Sequence, residues 1–152
     1  MFYQKYNSPI GIITVICDDE ALYRIDFGDT FSDENPNKIT MLAVRQLDDY
    51  FCGKRKKFDI IVKLKGSEFQ IKVWNELKKI RYGEVCTYGD IAERIGNKKA
   101  CRAVGSANKK NPVPIIVPCH RVIASDGIGG YAEGIDKKLV LLNLEKENSD
   151  TV

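Results

Sequence analysis

The sequence predicts an α/β fold of the α+β type, in which an N-terminal antiparallel sheet with one helix precedes a mostly helical domain. Residues 2–27 contain short apolar and β-branched runs of strand length, and apolar residues recur at helical spacing in most of the remaining chain. A Gly-Ser pair at residues 66–67 separates the two patterns. We therefore expect two domains, residues 1–65 and residues 66–152.

Three strands are predicted at the N-terminus. Residues 2–6 alternate weakly, residues 10–17 are β-branched and apolar, and residues 22–27 form a further apolar run. Polar segments at residues 7–9 and 18–20 provide turn signals between the runs. Strands joined by such short turns pair antiparallel, so the expected sheet is a meander.

One helix and a basic loop complete the first domain. Apolar residues from Ile39 to Phe51 recur at helical spacing, and Gly53 follows as a stop signal. The four basic residues 54–57 either form a solvated connection or help to attract DNA. Residues 58–64 are expected to form a short strand or an extended segment.

The second domain is predicted to begin with a capped helix. Ser67 and Gln70 have the spacing of a capping box, in which a hydroxyl and an amide close the helix N-terminus reciprocally. The apolar stripe that follows includes Trp74, which we assign to the core.

Two short helices joined by a tight turn predict a helix-turn-helix. Thr87 and Asp90 form a second capping signal, the first helix ends at Gly96, and the second runs from about Lys98 to Lys109. Many helix pairs share this pattern, so the motif alone is weak evidence for DNA binding. Small side chains make the second helix slender, which allows close approach either to a DNA groove or to a neighbouring helix.

Charge is distributed unevenly along the chain. Seven of the 24 basic residues and none of the 21 acidic residues lie between Arg94 and Ser125. These basic residues are Arg94, Lys98, Lys99, Arg102, Lys109, Lys110 and Arg121. Such a stretch is either a solvated face or a phosphate-binding surface, and the second interpretation makes double-stranded DNA the candidate partner.

The five cysteines indicate free thiols. Cys17, Cys52, Cys86, Cys101 and Cys119 are odd in number, widely spaced and without a Cys-x-x-Cys pair, which argues against a disulfide framework or a zinc site. Free thiols are typical of a reducing compartment, so we expect a cytoplasmic protein without a bound metal. No apolar run is long enough to span a membrane, and the N-terminus lacks a signal-peptide pattern.

Cys119 is the candidate nucleophile, and the only histidine in the chain follows it directly. A thiol attacks as its thiolate, and a free cysteine has a pKa of about 8.5, so it needs a base or a positive charge nearby. Adjacent side chains of an extended strand point to opposite faces, which makes a bridging water the expected link between Cys119 and His120. The alternatives are a structural role for His120 and a thiol hydrolase with a Cys-His pair.

Glu145 is the expected partner of His120. Asp136 is predicted to cap a C-terminal helix that carries Leu139 and Leu142, and Glu145 belongs to the same apolar stripe. A carboxylate on an apolar stripe needs a partner, and His120 would become a better base by providing one. The alternative places Glu145 at the edge of the stripe, in water.

A long motif surrounds Cys119. Residues 111–123 read NPVPIIVPCHRVI. Further matching positions are Tyr82-Gly83-Glu84-Val85, Tyr88-Gly89, Arg102-Ala103-Val104-Gly105, Gly130-Tyr131, Lys138, Leu141-Leu142 and Glu145. Together they closely resemble the O6-alkylguanine-DNA alkyltransferases, strongly over about residues 67–147 and more loosely before them.

This resemblance implies DNA repair by a single-turnover methyltransferase. Cys119 would take the alkyl group from O6-alkylguanine, with O4-alkylthymine as a second candidate lesion, after the nucleotide has flipped out of the duplex. His120, through a water, and Glu145 would form the relay that generates the thiolate. Asn111 would brace the segment before the cysteine. The family also implies a C-terminal domain with a winged-type helix-turn-helix, and a monomer that needs no cofactor.

The resemblance further assigns substrate and DNA contacts. The residues implied at the extruded base are Tyr88, Tyr131, Val122 and Pro114. Arg102 would enter the duplex where the base has left, with the recognition helix in the minor groove. The other implied DNA contacts are Ala103, Lys99, Lys109 and Arg121.

The sequence departs from the family pattern at a few positions. Arg81 replaces a usual proline, Ala132 replaces a serine found in some members, and Glu133 adds a charge near the pocket loop. A rival function is that of the non-catalytic lesion-binding relatives, which replace the acceptor cysteine, usually by tryptophan. The presence of Cys119 argues against that function.

Overall fold

A computed structural model describes residues 1–149 of the chain. The residues divide into two compact units, the first comprising Met1–Leu64 and the second beginning at Lys65. The elements of the two units confirm the α+β fold class. Among residues 1–149, no helix is long and apolar enough to cross a membrane.

The first unit is a three-stranded antiparallel meander with one helix. Its strands are β1 (Phe2–Ser8), β2 (Gly11–Cys17) and β3 (Leu22–Phe27), in the order β1-β2-β3. Ser8 pairs with Gly11 across the first hairpin, where Gly11 has a φ of +105° that side chains disfavour. The predicted strands are thus confirmed to within two residues.

Helix α1 (Lys38–Phe51) follows the sheet and ends close to the predicted stop. Asn37 caps it, accepting a hydrogen bond from the Thr40 backbone N–H at 2.9 Å. Residues 58–64 do not form a continuous strand, because only an isolated bridge joins Val62 to Leu22.

Between residues 65 and 149, the second unit contains four α-helices and a short parallel strand pair. Its elements are α2 (Glu68–Leu77), β4 (Cys86–Thr87), α3 (Tyr88–Arg94), α4 (Cys101–Lys109), β5 (Val122–Ile123) and α5 (Ile135–Ser149). Both predicted capping boxes form: Ser67 caps α2 and Thr87 caps α3. The helices α3 and α4 make the predicted helix-turn-helix.

Trp74 fixes the position of α4 within this unit. Its side chain is buried, as predicted, and its indole N–H donates to the Ala107 carbonyl at 2.8 Å. This buried hydrogen bond joins α2 to α4 and satisfies the indole donor of Trp74. The other face of α4 therefore faces outward.

Two helix boundaries differ from prediction. Helix α4 begins at Cys101 rather than near Lys98, because the Asn97 carbonyl accepts from the Ala100 N–H in a separate turn. Helix α5 begins at Ile135, so Asp136 lies in its first turn and does not cap it.

The buried face of α5 is also rotated from the predicted one. It consists of Lys138, Leu141 and Glu145, whereas Leu139 is 42% exposed. Two of these three buried residues are charged, so an apolar stripe was a poor guide to this helix face.

Candidate active site and DNA-binding surface

Cys119 occupies a single 3-10 turn, Cys119–Arg121, and not the extended strand expected from the sequence. The turn forms because the Arg121 N–H donates to the Pro118 carbonyl at 3.1 Å. The Asn108 side chain anchors it from α4 by donating to the Cys119 carbonyl at 3.1 Å. The thiol is therefore held inside the unit, where Cys119 is 4% exposed.

The surroundings of the thiol determine its protonation. Burial raises the pKa of Cys119 to about 11, and the side chains of Asn111 and Tyr131 and the charge of Lys138 oppose this rise. Without further help, the thiol is protonated near neutral pH. A proton acceptor is needed to make it a nucleophile.

Asn111 braces the segment between α4 and the cysteine. Its amide nitrogen donates to the Val117 carbonyl at 2.7 Å, and its amide oxygen accepts from the Val113 N–H at 3.0 Å. Within the braced loop, Ile115 has a φ of +75°, a costly conformation for a β-branched residue. The bonds of Asn111 help to hold the loop in that shape.

His120 and Glu145 form a buried pair. The Nε2 atom of His120 lies 2.7 Å from Oε2 of Glu145, and their side chains are 0% and 1% exposed. Burial lowers the pKa of His120, although Glu145 opposes this. A neutral imidazole that donates through Nε2 keeps its lone pair on Nδ1, and no group among residues 1–149 hydrogen-bonds to that atom.

Glu145 is a permanent carboxylate at this site. Burial alone would raise the pKa of Glu145, but hydrogen bonds and charges from His120 and Arg121 outweigh it and hold that pKa well below its ordinary range. The Gly83 N–H adds a contact to Oε1 at 3.3 Å.

Arg121 does not lie on the DNA surface to which the sequence assigned it. Its Nε and Nη2 donate to Glu145 at 2.8 and 3.0 Å, and Nη1 donates to the Ile80 carbonyl at 2.7 Å. Its side chain is 8% exposed, so the guanidinium is used inside the unit. The sequence suggested DNA contact for Arg121 because a run of basic residues does not show which of them are buried.

Lys138 is a site residue to which the sequence reasoning gave no role. It is fully buried, and its ammonium donates to the Val122 carbonyl at 2.6 Å and to the Gly130 carbonyl at 2.9 Å. Burial lowers its pKa to about 8, with the nearby Cys119 opposing the shift. Its spacing of seven residues before Glu145 was the available signal that both share one helix face.

Of the four residues predicted to contact the extruded base, one lines a cavity and three are buried. Tyr88 borders a cavity of about 500 Å³, and Tyr131 is buried near the Cys119 thiol. Val122 and Pro114 are buried, and the Val122 carbonyl is engaged by Lys138. The residues that line the cavity are Tyr88, Cys101, Arg102, Gly105, Ser106, Lys109 and Gly130.

The outer face of α4 carries the predicted DNA contacts. Arg102 and Ala103 are exposed in its first turn, Lys109 is exposed at its end, and Lys99 is exposed in the preceding turn. Of the seven basic residues between Arg94 and Ser125, six are exposed and only Arg121 is buried. The cavity adjoins the surface formed by these six exposed basic residues, because two of them, Arg102 and Lys109, also line the cavity.

In comparisons with known proteins, both units match domain models of the same protein family. Residues 68–147 match the family model described as 6-O-methylguanine DNA methyltransferase, DNA binding domain. Residues 1–64 match the model of that protein's ribonuclease-like domain.

Individual relatives match over nearly their whole length. A methylated-DNA–protein-cysteine methyltransferase of Methanosarcina acetivorans is 47% identical, over 95% of this chain and 98% of the relative. The solved structure of Mycobacterium tuberculosis OGT in complex with DNA is 41% identical, with a TM-score of 0.90, over 97% of this chain and 94% of that one. An O6-methylguanine DNA methyltransferase from Methanococcus jannaschii has a TM-score of 0.72 at 34% identity, over 100% and 96% of the two chains.

Proposed function

The chain belongs to the 6-O-methylguanine DNA methyltransferase family, and on that premise we propose that it repairs DNA by moving the alkyl group of O6-alkylguanine onto Cys119. The enzyme class is that of a methylated-DNA–protein-cysteine methyltransferase. The observation that carries the proposal is a buried Cys-His-Glu constellation in the same unit as a basic helix and its adjoining cavity.

The reaction is a direct displacement at the alkyl carbon. The Cys119 thiol loses its proton, the thiolate sulfur bonds to the alkyl carbon, and the bond from that carbon to guanine O6 breaks. The electron pair of the broken bond stays with guanine. Guanine takes up one proton, which balances the proton that the thiol released, so no co-reactant is consumed.

His120 accepts the thiol proton in this proposal. Its Nδ1 atom carries the lone pair, and a water molecule relays the proton from Cys119. Glu145 fixes the tautomer and steadies the imidazolium that forms, as a carboxylate does beside a catalytic histidine. The side chains of Asn111 and Tyr131 lower the pKa of Cys119, so in this proposal they stabilise the thiolate.

DNA brings the lesion to the cavity by base flipping. The O6-alkyl carbon is unreachable in a stacked duplex, so the nucleotide is extruded at a cost of a few kcal/mol. In this proposal Arg102, which is exposed on α4, fills the vacated space, and the small side chain of Ala103 allows the helix to approach the minor groove closely. Lys99 and Lys109 contact phosphates, which makes binding salt-dependent and largely independent of sequence.

Tyr88 and Tyr131 hold the extruded guanine. Tyr88 borders the cavity beside Gly105 of α4, and Tyr131 lies close to the reacting sulfur. Tyr131 is therefore placed to stabilise guanine as it leaves, while backbone groups near Val122 read the purine edge.

Each molecule acts once, because the thioether formed on Cys119 does not hydrolyse readily. A monomer suffices, since the proposed reacting groups all belong to one unit. The protein works inside the cell, in the cytoplasm with access to DNA, where its cysteines stay reduced.

Intact-mass spectrometry after incubation with duplex DNA containing O6-methylguanine tests this function. We expect wild-type protein to gain one methyl group and Cys119→Ser to gain none. Tight lesion binding without a mass change would favour a non-catalytic lesion-binding protein. If the protein neither bound the lesion nor gained mass, both functions would be rejected.

A further inference from the structure

Arg121 and His120 share one carboxylate. Oε2 of Glu145 lies 2.7 Å from Nε2 of His120 and 3.0 Å from Nη2 of Arg121, while Oε1 accepts from Arg121 Nε at 2.8 Å. The third guanidinium nitrogen donates to the Ile80 carbonyl at 2.7 Å. The guanidinium is therefore held in a fixed, two-point contact with the carboxylate.

A lone buried carboxylate would raise the pKa of His120, so that more of the histidine would be protonated before the reaction begins. It would stabilise the imidazolium as an ion pair, and an imidazolium has no lone pair left to take the thiol proton. The relay proposed above needs a neutral His120 before the reaction. A positive charge paired with the carboxylate lowers its effect on the His120 pKa, so that the histidine can stay neutral before the reaction.

We propose that Arg121 is a positioning residue for alkyl transfer, because its permanent charge neutralises Glu145 and so keeps His120 a neutral base. This inference rests on the proposed function, since that reaction is what requires a base at His120. Arg121 acts through Glu145 and contacts neither the substrate nor the sulfur in this scheme.

The other charged groups around His120 do not replace Arg121. Glu145 and Lys138 face it from α5, and Arg121 faces it from the 3-10 turn. Burial lowers the His120 pKa, Glu145 raises it, and Arg121 and Lys138 lower it. The Lys138 ammonium is bonded to the carbonyls of Val122 and Gly130, so it does not provide the two-point contact with the carboxylate that Arg121 makes.

Tyr82 packs beside the same ion pair. The Arg121 guanidinium carbon lies 5.8 Å from the centre of the Tyr82 ring. Burial raises the pKa of Tyr82, and the charge of Glu145 raises it further, so its hydroxyl stays neutral over the working pH range. Tyr82 therefore adds no charge that would alter the balance at His120.

Because the chain has a single histidine, the pKa of His120 can be measured directly. The imidazole signals in an NMR titration can belong only to His120, so its pKa is read without further assignment. We expect Arg121→Met to raise that pKa by about 1 or more, the usual effect of an uncompensated neighbouring charge. Arg121→Lys, which retains a positive charge, is expected to stay near the wild-type value.

Two further variants keep the test valid if Arg121→Met does not fold. Arg121→Gln removes the charge and keeps a hydrogen-bond donor towards Glu145. The double variant Arg121→Gln/Glu145→Gln removes both charges, and we expect it to return the His120 pKa to the wild-type range or below. Arg45→Met, at an exposed position on α1, is the matched control.

The pH profile of single-turnover methyl transfer is the second readout. For Arg121→Gln we expect the rate at pH 7 to fall by on the order of tenfold and to recover as the pH rises through the raised His120 pKa. The double variant should be faster at pH 7 than the single one. An unchanged His120 pKa, or a rate reduced equally at every pH, would overturn the role assigned to Arg121. Wild-type protein that takes up no methyl group would instead reject the proposed function, and the titration would still report on Arg121.

Discussion

The ammonium group of Lys138 lies 2.6 Å from the backbone carbonyl oxygen of Val122, so α5 is tied directly to the strand that follows the cysteine turn. The same ammonium donates to the Gly130 carbonyl at 2.9 Å. One buried cation thus joins the strand after Cys119 to the loop before Tyr131. Lys138 therefore links the strand after Cys119 to Gly130 at the wall of the cavity, although Lys138 takes no part in the proposed reaction.

Burial of Lys138 predicts a particular dependence of stability on pH. Its pKa is about 8 in the folded protein, below the ordinary 10.5. Between these values the unfolded chain binds more protons than the folded one, so stability rises with pH across this window. Relative to Lys138→Met, we expect the wild-type free energy of unfolding to increase by about 2 kcal/mol between pH 8 and 10.

Urea denaturation of both proteins at several pH values checks this. Lys146→Met, at an exposed position on the same helix, is the control and should remain parallel to the wild type. Parallel curves for wild type and Lys138→Met would mean that Lys138 titrates normally in the folded state.

Asn111 is predicted to matter for both rate and stability. Asn111→Ala removes the hydrogen bonds to the Val117 carbonyl and the Val113 N–H, at an expected cost of about 1–3 kcal/mol. Asn111→Asp keeps an acceptor for Val113 but places a negative charge beside the thiol, which raises the Cys119 pKa further. We expect slower single-turnover methyl transfer in both variants. A wild-type rate in Asn111→Asp would show that Asn111 does not act on the sulfur.

Arg102→Ala is expected to separate base flipping from chemistry. The side chain is exposed on α4, so its loss leaves the Cys119 environment intact. Free O6-benzylguanine should alkylate the variant at nearly the wild-type rate, whereas repair of O6-methylguanine in duplex DNA should slow sharply. Equal losses on both substrates would indicate that Arg102 supports the fold.

The loop before Tyr131 is predicted to depend on Gly129. Its φ is +75°, and an added Cβ would lie 2.9 Å from the Tyr88 hydroxyl and 3.0 Å from the Ala124 nitrogen. We expect Gly129→Ala to destabilise the protein by more than about 1 kcal/mol and to slow methyl transfer. Gly127→Ala is the matched control, since a Cβ there meets nothing within 4 Å. Similar behaviour of the two variants in thermal unfolding would contradict this account.

Local signals allowed much of the fold to be predicted. Capping at Ser67 and Thr87 depends on hydroxyls that bond within their own turn, so spacing alone reveals it. The short apolar runs at the N-terminus and the polar turns between them indicated the three strands of the sheet. The pairing of His120 with Glu145 was also anticipated, because a carboxylate within a buried helix face needs a partner.

The rest depends on contacts between distant residues. Cys119 sits in a 3-10 turn partly because Asn108, on another helix, bonds to its carbonyl. Lys138 is fully buried, and this is rare enough for a lysine that pattern reasoning places it in solvent. Arg121 was counted with the DNA-binding cations because neither Glu145 nor Ile80 lies near it in sequence.

The most direct test of the central claim is the stoichiometry and location of methyl transfer when lesion-containing DNA is in excess. The chain has two exposed cysteines, Cys52 and Cys101, whereas Cys119 is buried. We predict that uptake reaches a plateau at one methyl group per protein and that peptide mass spectrometry places it on Cys119 alone. Continued turnover, or methylation of Cys52 or Cys101 instead, would contradict the account.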